Sequence, residues 1–189
     1  MSAPRAAAAV VVVCVALAIP LLAAARRGAL RDGNDTKGPL DIRRVRLIGE
    51  TKPVWKTFMG RRWTARRLRD RGFVLVFLDT FAGERADYYV LARSTGSRLQ
   101  ATLYRDRAAR GDRRVMRLDL WRRDRRSVSV RVPLRRLRVG AQRDRFDWYV
   151  QTLMSSGRCR RVCFDRAPNR GAVEEPLGGA PTPSPSPSE

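Results

Sequence analysis

An antiparallel β-sandwich (jelly-roll or Ig-like) is the fold this sequence predicts, and three observations predict it. From residue 72 to residue 153, apolar and polar residues alternate in runs of roughly five to nine, with turn residues between them. One run, Phe73 to Leu78, is wholly apolar, as expected of a central strand covered on both faces. The hydrophobic share, 43 % of 189 residues, is enough for a packed core in one domain of ordinary size.

The chain opens on a segment of another kind. Arg5 is followed by an uncharged stretch from Ala6 to Ala25 that includes Val10 to Val13, Leu17, Ile19, Leu21 and Leu22. It has no polar face, which argues against a buried core helix of the domain. Ala23, Ala24 and Ala25 form an A-x-A arrangement suited to signal peptidase, and Pro20 marks the end of a signal helix. The stretch is also about long enough to span a bilayer, and Arg26 and Arg27 directly after it disfavour cleavage. A cleaved signal peptide and an uncleaved transmembrane helix both place the remaining chain outside the cytoplasm, secreted or anchored to the cell membrane. Cys14 lies inside the apolar run after Val13 and does not fit a lipoprotein acceptor. Residues 26–37 read as a polar linker, 38–170 as the sandwich, and 171–189, which ends in a Pro/Ser-rich run, as a disordered tail.

Within the sandwich each strand has its own warrant. Leu40 and Ile42 lie on one phase of alternation and Val45 and Leu47 on the other, so a β-bulge near Arg43 and Arg44 is needed to turn all four to the core. Val54 to Met59 reads as a strand after Pro53, with a short helical turn beyond Gly60. Ala86 to Ala92 is rich in β-formers, and Ser97 to Tyr104 alternates with Leu99, Ala101 and Leu103 inward. Ser94 to Ser97 makes a hairpin connection between them. Met116, Leu118 and Leu120 alternate, as do Val128, Val130 and Val132, with a turn around Asp124. Phe146 to Leu153 supplies the last of these strands.

Three groups of residues carry resemblance to a family. They are Asp41-Ile42 opening the first strand, the corner Val132-Pro133-Leu134-Arg135-Arg136-Leu137, and the late strand Phe146-Asp147-Trp148-Tyr149. Together they resemble the DOMON-like β-sandwiches related to family-nine carbohydrate-binding modules. The ending Cys159 to Pro168 resembles that of exported actinobacterial proteins. The resemblance implies a sandwich with a binding role. Its sugar-binding relatives use a tryptophan pair, and no such pair maps onto Trp55, Trp63, Trp121 or Trp148.

Composition removes much chemistry. There is no histidine, which excludes Ser-His and Cys-His nucleophilic pairs and imidazole bases. No cofactor is expected, and nothing in the chain reads as an enzyme. The nearest thing to a catalytic set is Asp79, Glu84 and Asp87, which could supply a glycosidase carboxylate pair but read more simply as loop residues paired with arginine. Asp32, Asp35 and Asp41 are weak calcium candidates, since calcium takes six to eight oxygen ligands. Cys159 and Cys163 are the two cysteines beyond the export segment, and an oxidising compartment favours a disulfide between them provided the chain turns there.

The charge is the remaining signal. Forty basic and 18 acidic residues give a formal net charge of +22, and the only lysines are Lys37, Lys52 and Lys56. Arginine thus appears wherever a cation is wanted, as in a GC-rich genome, and solvated edge charges account for it as readily as a dedicated site. The dedicated alternative is Trp121 with Arg122, Arg123, Arg125 and Arg126, which could clamp anionic envelope polymers or lipid headgroups rather than any specific nucleic acid.

Overall fold

A computed structural model describes residues 29–50, 52–83, 85–107, 110–139, 144–155 and 161–177. In these residues two antiparallel β-sheets pack together around one hydrophobic core. The five-stranded sheet is built from β1 (Leu30–Arg31), β2 (Ile42–Ile48), β3 (Val54–Met59), β8 (Leu120–Trp121) and β9 (Ser127–Arg131), in the order β1-β2-β3-β9-β8. The seven-stranded sheet contains β4 (Gly72–Asp79), β5 (Tyr88–Ser94), β6 (Leu99–Arg105), β7 (Arg113–Leu118), β10 (Arg145–Met154), β11 (Cys163–Ala167) and β12 (Val173–Pro176). Its order is β11-β10-β4-β5-β6-β7, with β12 paired to the other end of β10.

The bulge expected in β2 is present. Its pairing with β3 shifts register between Ile42 and Arg44, and Leu40, Ile42, Val45 and Leu47 are all buried. The alternation of Met116, Leu118 and Leu120 hides a change of sheet. Met116 and Leu118 belong to β7, Leu120 belongs to β8, and only Asp119 separates the two strands. Inward-facing aromatics join the sheets: Trp55 of β3 meets Phe146 and Trp148 of β10 edge-on, with ring centroids 6.2 Å apart in both cases.

Between β3 and β4 a one-turn helix, α1 (Ala65–Leu68), is capped by Thr64, whose hydroxyl accepts from the Arg67 N–H at 3.2 Å. Its Leu68 reaches the core over Gly72, where a Cβ would come within 2.7 Å of Leu68 Cδ2 and 2.9 Å of Met154 Sδ. A side chain at this position would displace the ends of both.

Two expectations need correction. The ordered unit extends past 38–170, because β1 adds a strand from the expected linker and β12 one from the expected tail. In β4 the inward residues Val74, Val76 and Leu78 are buried, whereas Phe73, Leu75 and Phe77 on the opposite face are partly exposed. That face is not covered by another layer among the described residues. Its apolar side chains cover one another across neighbouring strands instead.

Candidate functional site

The outer face of the five-stranded sheet gathers cations. Cross-strand pairing places Arg44 opposite Phe58, Arg46 opposite Lys56, and Val54 opposite Arg131, all on the side away from the core. Ser129 stands between Lys56 and Trp121 in the same row. The aromatics are set under the charges: the Arg44 guanidinium lies 4.2 Å and the Lys56 ammonium 4.7 Å from the Phe58 ring centre, and Arg131 lies 5.3 Å from that of Trp121. A shallow groove on this face is lined by Ile48, Val54, Lys56, Trp121, Arg123 and Ser129.

The arginines flanking Trp121 do not act together. Arg122 turns inward: its guanidinium stacks 3.5 Å from the Trp63 ring centre and donates to the Trp63 carbonyl at 2.8 Å. Burial lowers its pKa. It is a brace between the β8–β9 turn and the arm that carries Trp63. Arg123 is exposed and lines the groove with Lys56 and Trp121. Arg125 and Arg126 hold the chain through their backbone, with their carbonyls accepting from Trp63 N–H and Met59 N–H. Their side chains flank a second concavity, shared with Arg62 and Asp124. Asp124 fixes the turn by accepting from the Ser127 hydroxyl at 2.6 Å and from the Arg126 and Ser127 N–H groups at 2.7 Å. Those bonds, the Ser127 hydroxyl first, lower its pKa. Of the expected set, Trp121 and Arg123 share a site, and Lys56 from β3 joins them.

The carboxylates are regrouped as well. Asp32, Asp35 and Asp165 bring oxygens within 4.8 Å of one another, beside the entry to β2. Asp41 is not among them: it is buried, accepts from the Thr36 N–H at 3.2 Å, and faces the Arg43 guanidinium at 3.7 Å. Its place is taken by Asp165 of β11, which accepts from Ile42 N–H at 2.5 Å and from Arg166 N–H at 2.8 Å. Burial, opposed by the bond from Ile42 and reinforced by Asp32 and Asp35, pushes the Asp165 carboxyl up to about 6. Burial and the neighbouring Asp35 raise Asp32 too. Each Asp165 oxygen accepts a backbone N–H, from Ile42 on one and Arg166 on the other.

The remaining expectations fall as follows. Asp79 accepts from the N–H groups of Phe81 and Ala82, and Asp87 from those of Thr80 and Phe81, so both shape their own loop; Glu84 lies outside the described residues. No helix among the described residues is long and apolar enough to cross a membrane; the expected signal peptide or transmembrane helix falls on residues 1–25, which lie outside them. No disulfide with both of its cysteines is found among the described residues, so the Cys159–Cys163 pair is not seen as expected. Cys163 is disulfide-bonded and packs against the Lys37 carbonyl, while Cys159 and Cys14 lie outside the described residues.

Comparison with protein-family models, with curated proteins and with solved structures finds no match to this chain. Two participants escaped the sequence reading because their partners are distant in the chain. Lys56 reaches Trp121 only through the pairing of β3 with β9, and Asp165 reaches Ile42 across 123 residues.

Proposed function

We propose that this chain is a non-catalytic β-sandwich of the cell envelope, exported or held there by its N-terminal segment, that binds anionic groups on the outer face of its five-stranded sheet. The observation that carries the reading is the groove in which Lys56 and Arg123 stand beside the Trp121 ring. Arg44, Arg46 and Arg131 extend the positive field on the same face, and a surface of one sign attracts polyanions at long range. Envelope polymers carrying phosphate and lipid headgroups have the matching chemistry.

The strand opening at Asp41-Ile42, the Pro133 corner and the Trp148 strand support a DOMON-like arrangement within the sandwich class. A sugar platform of paired tryptophans is not favoured, because Trp55, Trp63 and Trp148 are buried and only Trp121 stands on an outer face. A carboxylate hydrolase is not favoured either, because Asp79 and Asp87 are both engaged by the backbone of their own loop.

The test is the affinity of the full chain for linear inorganic polyphosphate. A triple variant, Lys56→Gln with Arg123→Gln and Arg131→Gln, should bind at least ~10-fold more weakly, as expected for lost charge-assisted contacts. A control triple at the exposed Arg98, Arg135 and Arg136 should lose less than about threefold. Equal losses would mean that net charge alone governs binding.

A further inference from the structure

The outer face of the other sheet is different in kind. Tyr149, Phe77, Tyr89 and Tyr104 stand in direct register on β10, β4, β5 and β6 and form one row of rings. Successive centroids are 4.7, 5.9 and 5.2 Å apart, with interplanar angles of 13°, 35° and 14°. The rings therefore stack on one another and show their edges outward, while Arg166 caps the Tyr149 face at 4.0 Å. The next row has Leu75 and Leu91 at its centre, and beyond it come Phe73, Leu153 and Phe164, the last 51 % exposed. An outer sheet face in a two-layer sandwich is ordinarily polar. This one carries aromatic rings across four strands, and its leucine pair sits between Gln151 and Thr102.

Charge on this face is unevenly distributed, in a chain whose formal net charge is +22. Past the aromatic row the register sets Asp79, Asp147 and Glu174 side by side, with Arg145 of β10 ion-paired to Glu174 at 2.7 Å. Around the leucine side stand Arg93, Arg117 and Arg166. We propose that this face is a dimer interface, covered by the same face of a second copy of the chain. A two-fold axis parallel to the sheet, midway between the two copies and crossing the strands, lays the aromatic row of each copy on the leucine row of the other. It also carries the acidic end of each toward the arginine-bearing end of its partner, so the surface is complementary to itself, as an isologous contact requires. An anionic bilayer would meet the acidic end with repulsion, and a sugar ring would find aromatic edges rather than faces. The inference is independent of the anion-binding face, which lies on the opposite sheet.

The experiment is sedimentation equilibrium of the full chain at near-physiological ionic strength, together with flotation on phosphatidylglycerol vesicles. The wild type should be dimeric at concentrations on the order of 10 μM. Leu91→Glu, which sets a charge in the centre of the contact, should weaken the dimer at least ~100-fold. Arg93→Glu alters only an exposed rim charge, keeps the test open if Leu91→Glu does not fold, and should weaken it several-fold through like-charge repulsion. A wild type that stays monomeric, or a dimer indifferent to both variants, would overturn the proposal. So would a monomer whose vesicle binding is abolished by Leu91→Glu, which would assign the face to lipid.

Discussion

Arg122 and Arg123 are adjacent and do opposite work. The Arg122 guanidinium lies over Trp63 and donates to its carbonyl, whereas Arg123 points to solvent in the groove beside Lys56. Arg122→Ala should therefore destabilise the fold by about 1–2 kcal/mol, from the lost cation–π contact and hydrogen bond, as read by urea unfolding. Arg123→Ala should leave the unfolding midpoint unchanged and lower polyphosphate affinity. Asp165 gives a second prediction. Its folded pKa of about 6 lies above the ordinary 3.8, so the folded state holds the proton more tightly. Its contribution is fully present below the unfolded value and is lost as pH rises through the folded one, an effect of about 3 kcal/mol. Unfolding midpoints should rise as pH falls from 7 toward 5, and Asp165→Asn should flatten that trend. A wild-type midpoint that falls over the same range would contradict the assignment. None of this was legible in sequence, where four arginines around Asp124 look equivalent and Asp165 is remote from Asp32.

At the scale of elements, more could be read. The phase error between Ile42 and Val45 predicts the bulge because only an extra residue turns both to one side. The strands β3 to β6, β9 and β10 follow from alternation bounded by Gly, Pro and Asp. Alternation could not show where the chain changes sheet at Asp119, because the period of two continues through the crossing. Nor could it tell a strand covered on both faces from one whose outer row is covered only by its neighbours, and β4 is the second kind. The turn after β3 offers a direct test. Gly60 donates to the Asp41 carbonyl at 2.7 Å, and a Cβ there would sit 2.5 Å from Asp41 Oδ2. Gly60→Ala should cost about 1–3 kcal/mol in thermal or chemical unfolding, while Gly33→Ala, which meets nothing within 4 Å, should have little effect.

For the whole molecule, the two outer faces divide the labour that the composition blurs together. The five-stranded sheet carries cations around Phe58 and Trp121, with Arg131 facing Asp119 at 3.6 Å, and the seven-stranded sheet carries an aromatic row between charged ends. Net charge alone would make every arginine interchangeable in binding a polyanion, whereas a site makes a few of them count. The salt dependence of polyphosphate binding separates these most directly, because the slope of log K against log salt counts the phosphates neutralised, at roughly 0.7 per contact on a single strand. If the outer face of the five-stranded sheet is the site, replacing Lys56, Arg123 and Arg131 by Gln should reduce that slope by about two, and replacing Arg98, Arg135 and Arg136 should barely change it. The same reduction in both variants would contradict a dedicated face and leave only the charge of the chain.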